Sequence, residues 1–287
     1  MTATEQTHDG SAVRIDRDYP ELRDSVRKLC AAFPGKYWRD LDVKGDYPDA
    51  FVNAMASGGY LAALIPEQYG GSGLPFRAAQ VILQTVHEEG CNAGACIAQM
   101  YTMGTVLKHG NESQKEHYLP KIATGELRLQ SFGVTEPGAG TDTLRLKTRA
   151  VRDGNRYVIN GQKIWISRTG HTDLMLLLAR TTPVEEMKHK KHGLSVFLVD
   201  VKQGLRDKTI EIRPIDIMTN HLTYEVFFND AIVPAENRIG EEGEGFTYIL
   251  SSMNAERTLA CGAILGNGNW FIRKAVEYAN HWVVFGR

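Results

Sequence analysis

Between residues 20 and about 126, apolar positions recur at three- and four-residue steps, as in Leu22, Val26 and Leu29 and again across residues 78–86. That spacing places the apolar side chains on one face of a helix. Pro34-Gly35, Gly58-Gly59 and Gly70-Gly71-Ser72-Gly73 interrupt the pattern, each ending a helix and reversing the chain. The prediction is an N-terminal α-helical domain over residues 1–127 with short connections. Beyond it the text changes to short β-branched and apolar runs at residues 157–159, 174–179, 194–201, 210–212 and 225–228, separated by loops rich in Gly, Asp and Asn. These runs predict a middle antiparallel β-domain over residues 128–240. After Gly240 the helical period returns with Phe246, Ile249, Leu250 and Met253, then a long run from about residue 256 to 282. Its stripe of Leu265, Phe271, Ile272 and Val276 needs partner helices to be buried. Residues 241–287 therefore read as the start of an incomplete C-terminal α-helical bundle, and the fold class is α+β multidomain: helices, sheet, helices.

Composition narrows the function classes. The chain has 287 residues, 43% of them hydrophobic, enough for one large core or a few smaller packed units. Lys and Arg total 33 against 34 Asp and Glu, a formal net charge of -1, so no global field favours nucleic acid or anionic lipid. Cys30, Cys91, Cys96 and Cys261 show no CxxC spacing and are too sparse for a disulfide framework, which fits a reducing cytoplasm. Residues 1–18 are polar and partly acidic, unlike a signal or transit peptide. No run approaches a membrane span. The expected location is cytoplasmic, with neither nucleic acid nor membrane as a partner.

Candidate chemistry lies where helical text gives way to strands, in Gly133-Val134-Thr135-Glu136-Pro137-Gly138-Ala139-Gly140-Thr141-Asp142. Pro137 suits the second position of a turn and Gly138 the third, where a positive φ is expected, while Gly140 lets backbone approach a ligand. Thr135 and Thr141 supply hydroxyls beside that backbone. The loop could hold a flat heterocycle or a phosphate, or be a plain structural turn. Further on comes Asn160-Gly161-Gln162-Lys163-Ile164-Trp165-Ile166-Ser167, where Asn-Gly predicts a hairpin turn and the following strand alternates Ile164 and Ile166 against Trp165 and Ser167. An indole and a hydroxyl on one face suit the edge of an isoalloxazine ring. A tryptophan packed within the sheet is the bland alternative.

Together these two segments resemble the acyl-CoA dehydrogenase family, whose second string reads NGxKxWI followed by Ser or Thr. Further landmarks stand in the family's order: Gly59-Tyr60-Leu61, Ile65-Pro66-Glu67-Gln68-Tyr69-Gly70-Gly71, Leu119-Pro120-Lys121, Gly125-Glu126, Pro234-Ala235-Glu236-Asn237 and Gly243-Glu244-Gly245-Phe246. The resemblance implies FAD as cofactor and α,β-dehydrogenation of an acyl-CoA thioester as the reaction. It places Val134 and Thr135 at the flavin's pyrimidine side, Phe132 near the ring, Trp165 at its flank and Ser167 near N5 and O4. Thr141, after Gly140, would face the pantetheine or pyrophosphate of acyl-CoA, where family members often carry Ser.

In most of the family the base lies in a C-terminal segment beyond the matching part of this chain. In the isovaleryl and long-chain branches it is the Glu of an Asp/Asn-x-Glu-Arg string opening a helix, matched here by Asn254-Ala255-Glu256-Arg257. Glu256 is then the catalytic base, with Asn254 and Arg257 toward the substrate. Without that role Glu256 would be a solvated first-turn acid favoured by the helix dipole. The last residues resemble Arg-x-x-Phe-Gly-Arg/Lys with Trp282 where Arg is expected, and an indole cannot replace a charge-assisted contact to the FAD pyrophosphate. The resemblance also implies an electron-transfer flavoprotein as partner and a homodimer or homotetramer. The alternatives are a catalytically incompetent truncated or scaffold subunit, an acyl-CoA oxidase, an enoyl-CoA reductase or an alkylation-response flavoprotein.

No metal is expected. His189 and His192, among Lys188, Lys190 and Lys191, read as a solvated hairpin tip. His87, Glu88 and Glu89 read as surface or capping residues, with no second cluster at metal spacing.

Overall fold

A computed structural model describes residues 18–187, 189, 191–218 and 222–285; Lys188, Lys190, His221 and the last two residues of the terminal string lie outside the described residues. Six helices come first: α1 (Pro20–Ala31), α2 (Gly35–Lys44), α3 (Asp49–Ser57), α4 (Phe76–Glu88), α5 (Gly94–His109) and α6 (Glu112–Thr124). α6 is the best marked locally. The Asn111 side chain accepts from the Gln114 N–H, while the Gln114 side chain accepts from the Asn111 N–H, a capping box that satisfies donors the first turn leaves open. At its other end Gly125 takes φ +79°, a left-handed conformation that suits glycine.

The sheet holds β1 (Leu129–Gly133), β2 (Arg149–Asp153), β3 (Arg156–Ser167), β4 (Leu174–Arg180), β5 (Leu194–Asp200), β6 (Ile210–Ile215), β7 (Thr223–Pro234) and β8 (Arg238–Ile239), with α7 (Val201–Arg206) between β5 and β6. Strand order is β6-β7-β3-β2-β4-β5-β8, with β1 beside β4. Pairing is antiparallel except that β1 and β2 both meet β4 in parallel. The parallel pairs are possible because the loop after β1 and the β2–β3 hairpin make the connection to β4 long enough to cross over.

The predicted hairpin at Asn160-Gly161 does not form. Those residues lie inside β3, and the turn falls at Gly154-Asn155, between Asp153 and its partner Arg156, with Gly154 at φ +60°. Gly161 has a different task. At φ +148° it sits where a Cβ would lie 2.7 Å from the Thr148 Cα, at a register shift in the β3–β7 ladder.

β4 separates two cores. Leu176 and Leu178 join a cluster with Met103, Leu119 and Ile122 of the helices and Val196 and Ile239 of the sheet, whereas Met175, Leu177 and Ala179 pack with Tyr157, Phe197, Val226 and Phe228 on the opposite face. Being covered on both sides, β4 reads as a continuous apolar run rather than an alternating one. A third cluster, with Val26, Phe51, Met55, Ile82, Leu83 and Met100, lies within the helices.

α8 (Gly245–His281) is one continuous helix of 37 residues. It lies close against α4: a Cβ at Gly262 would meet the Gln80 carbonyl oxygen at 2.7 Å, and one at Gly266 the Gln84 carbonyl oxygen at 2.2 Å. On another side of the helix Leu265, Phe271, Ile272 and Val276 are exposed. His87, expected at the surface, is instead buried beneath α8. The Ala93 N–H donates to its Nε2, so the neutral ring donates from Nδ1 to Asn267 Oδ1, and burial pulls its pKa down. Among the described residues no group of His, Cys, Asp and Glu could hold a metal ion, and no helix is long and apolar enough to cross a membrane.

Candidate functional site

The two strings singled out in the sequence meet. The Ile164 N–H donates to the Thr135 carbonyl at 3.0 Å, tying the loop after β1 to the middle of β3. Beneath this contact Lys163, fully buried, donates from Nζ to the Val134 carbonyl at 3.0 Å and to Glu136 Oε1 at 2.9 Å. Glu136 also accepts the backbone N–H groups of Lys147 and Thr148, at 2.6 and 2.9 Å. Burial alone would raise the Glu136 pKa, but the Lys163 charge and these donors outweigh it and hold the carboxyl below its usual range. For Lys163 burial wins over the attraction of Glu136 and brings the ammonium to about 8. Both belong to the quoted strings, yet sequence reasoning passed over them because Lys and Glu are usually solvated. The signal was a lysine inside strand text, and its burial depends on the bulge that follows it in β3.

The turn at the tip forms as expected, with the Glu136 N–H donating to the Ala139 carbonyl and the Ala139 N–H to the Glu136 carbonyl, both at 3.1 Å. Gly138, however, is not in the left-handed region, so this turn does not require glycine there. Gly140 and Thr141 are exposed, and a Cβ added at Gly140 would meet nothing within 4 Å.

The predicted alternation on β3 is broken by a bulge. Lys163 pairs with Val226 and Ile166 with Tyr224, so Ile164 and Trp165 together oppose Glu225. Trp165 takes φ +62° and is 55% exposed; Lys163 and Ile166 are buried, Ile164 and Ser167 half-buried. A bulge re-aims a side chain at the cost of strict alternation. Here it leaves a large indole uncovered beside the Thr135 loop. The next residue, Arg168, is also left-handed at φ +62° and is buried; its N–H donates to the Leu222 carbonyl at 2.8 Å.

Val134 is buried, Thr135 and Phe132 half-buried, and the Phe132 ring meets Tyr101 of α5 edge to face at 5.7 Å. Across from β1 stands α8, which packs on α5. Asn254, Glu256 and Arg257 do not open a helix, as the sequence predicted, but lie roughly three turns inside α8. A first-turn dipole therefore does not act on Glu256. The helix begins earlier because Gly245 and Phe246 already pack against β5 and the core. Arg257 Nη1 donates to Asn254 Oδ1 at 3.3 Å, and both residues are exposed. Glu256 is half-buried, and its desolvation raises the carboxyl pKa against a smaller opposing pull from Arg257. Its charge acts in turn on the Tyr101 hydroxyl. Tyr101 thus packs on Phe132 and feels the charge of Glu256, while Gly140, Thr141, Asn254 and Arg257 remain toward solvent. Tyr101 and Arg168 were not predicted, since an isolated Tyr on a helix and an Arg after a strand carry no motif.

Comparison with known proteins agrees with this arrangement. Residues 16–126 match the acyl-CoA dehydrogenase N-terminal domain and residues 131–231 the acyl-CoA dehydrogenase middle domain. An acyl-CoA dehydrogenase of Bacillus subtilis is 30% identical over 268 residues, covering 93% of this chain and 68% of the relative. A cyclohex-1-ene-1-carbonyl-CoA dehydrogenase of Syntrophus aciditrophicus is 30% identical over 273 residues, covering 93% of this chain and 63% of the relative. The chain thus spans about two thirds of the length of these relatives. The solved butyryl-CoA dehydrogenase of Megasphaera elsdenii superposes with a TM-score of 0.83 at 26% identity, over 100% of this chain and 72% of that one. A chain from a study of the electron transferring flavoprotein of Acidaminococcus fermentans superposes with a TM-score of 0.85 at 27% identity, over 100% and 72% respectively. With both domain models matched in order and the middle sheet joined to α8, the chain belongs to the acyl-CoA dehydrogenase family.

Proposed function

We propose that this chain forms the flavin- and acyl-binding part of an FAD-dependent acyl-CoA dehydrogenase, which converts an acyl-CoA thioester to the trans-2-enoyl-CoA and passes electrons to an electron-transferring flavoprotein. The observation that carries this reading is the Thr135–Ile164 tie, with the uncovered Trp165 beside it. A half-exposed indole next to backbone and hydroxyl groups is a surface that a flat heterocycle covers well. Phe132, Val134, Thr135, Trp165 and Ser167 would hold the ring, with Gly140 and Thr141 toward the phosphates and pantetheine. When bound, the flavin supplies a two-electron acceptor for the hydrogen leaving the β-carbon.

The chain's own residues account for the proton. Glu256 removes it from the α-carbon, and its desolvation raises the carboxyl pKa above its ordinary value, which strengthens it as a base. A bound acyl group displaces more water and pushes this further, while the charge of Arg257 opposes the rise. Asn254 and Arg257, one turn apart, would flank the thioester end.

Purification with excess FAD should give a stoichiometric yellow protein, and a colourless one would overturn the proposal. Anaerobic reduction by acyl-CoA, followed by transfer to an electron-transferring flavoprotein rather than to oxygen, separates it from an oxidase. A second reading, a catalytically incompetent subunit of the same fold, is favoured by Trp282, which stacks on Tyr278 at 5.3 Å where the family string carries a cation.

A further inference from the structure

Tyr101 belongs to no motif, yet it packs on Phe132, a residue of the proposed flavin wall. Its ring lies edge-on to Phe132 at 5.7 Å, and its hydroxyl is acted on by the negative charge of Glu256 from α8 and by the positive charge of Arg168 from the end of β3. The hydroxyl makes no hydrogen bond among the described residues, and its oxygen is not one of the sealed, unpartnered atoms, which are Gln99 Oε1 and Gln130 Nε2. Burial first, then Glu256, pushes the phenol well above its ordinary range against the opposing effect of Arg168, so it is a neutral O–H donor at any working pH.

A half-buried donor without a protein acceptor is satisfied by water or by ligand. A plain aliphatic acyl chain would displace that water and return nothing, whereas an acyl group with an oxygen at this level would accept the bond. Sites built around such a donor discriminate against analogues lacking the acceptor, because the donor is then left unpaired. We propose that Tyr101 is a specificity-determining residue whose hydroxyl donates to an oxygen carried on the acyl group, so that the preferred substrates are acyl-CoA thioesters bearing a hydroxyl, keto or ether oxygen rather than plain alkanoyl ones. The inference rests on the reading of Phe132 as flavin wall and Glu256 as base, since these bring the acyl group against Tyr101.

The test uses the complete, flavin-loaded protein with a straight-chain alkanoyl-CoA and a set of equal-length analogues carrying one oxygen at successive positions. Calorimetry should show at least one oxygenated analogue binding roughly tenfold or more tighter than the alkanoyl-CoA. Tyr101→Phe should abolish that preference while leaving alkanoyl-CoA affinity equal or better, which also reports that the variant is folded. Equal affinities across the set, or a preference that survives Tyr101→Phe, would overturn the proposal. Glu256→Gln separates the two readings: it should keep the binding preference and lose turnover, and turnover that persists there would refute the base assignment without altering the Tyr101 result.

Discussion

The Lys163–Glu136 pair is the residue-scale feature with the largest energetic stake. Removing one partner leaves an uncompensated buried charge, which typically costs about 3–5 kcal/mol, whereas removing both together costs much less. Lys163→Met or Glu136→Gln should therefore destabilise strongly in urea titrations, and the double variant should recover part of the loss. The pH dependence follows from the directions. The Glu136 pKa is depressed in the fold, so its contribution is present above about 4.5, the ordinary value, and is lost as pH falls below it. Lys163, brought to about 8 from 10.5, binds its proton less tightly when folded than when unfolded. Stability at this site therefore rises between those values as the buried charge is relieved. Lys163→Met should abolish that alkaline rise in a denaturation series. Glu256 has the opposite kind of shift. In its proposed role as base it acts when deprotonated, so kcat/KM should fall as pH drops through a pKa above 4.5, and Glu256→Gln should reduce turnover by at least about 100-fold. A rate profile flat to pH 4.5 would count against it.

At the scale of elements, the close crossing of α4 and α8 depends on two small residues. Gly266→Val would drive a side chain into the Gln84 carbonyl, and overpacking of this kind costs about 1–3 kcal/mol. The melting temperature should drop, and limited proteolysis should open α8 before the sheet. The helices were legible because their periodicity and glycine punctuation coincide, as at Gly58-Gly59 after α3 and Gly70 to Gly73 before α4. β3 was legible as a strand but not in detail. Asn160-Gly161 carries the strongest short hairpin signal, yet its glycine answers to the proximity of Thr148, a long-range contact that no local pattern encodes. The bulge at Trp165 escaped for the same reason, because it is set by pairing with β7. The return of the helical period at Phe246 matches the start of α8, but the string at Asn254 opens no new helix, because packing of Gly245 and Phe246 begins one that runs on through it.

At the scale of the whole molecule, the order helices, sheet, helices follows from a change of period at each boundary. What joins the three parts does not. The face of β4 that meets the helices and the face that meets the outer core are one apolar run in the sequence. Likewise, the motif residues at Thr135 and Trp165 could be named from text, but Lys163, which joins β3 to the loop, and Tyr101, which packs from α5 on Phe132 of β1, could not. The exposed stripe of Leu265, Phe271, Ile272 and Val276 gives a whole-molecule prediction. Exposed apolar patches bind hydrophobic dyes and promote association. The 287-residue chain should enhance dye fluorescence and sediment heavier with concentration. Replacing Phe271 and Ile272 together by Ser should weaken both effects, and unchanged sedimentation would argue that another face is responsible.

Lys163 also governs how quickly a ligand can be received. Because its ammonium clamps the Val134 carbonyl from within the sheet, the loop has surrendered its freedom during folding and has little left to surrender on docking. A flavin arriving there would meet a finished cradle, so capture should be a single fast phase, and cutting the clamp should convert it into a slow, two-phase process.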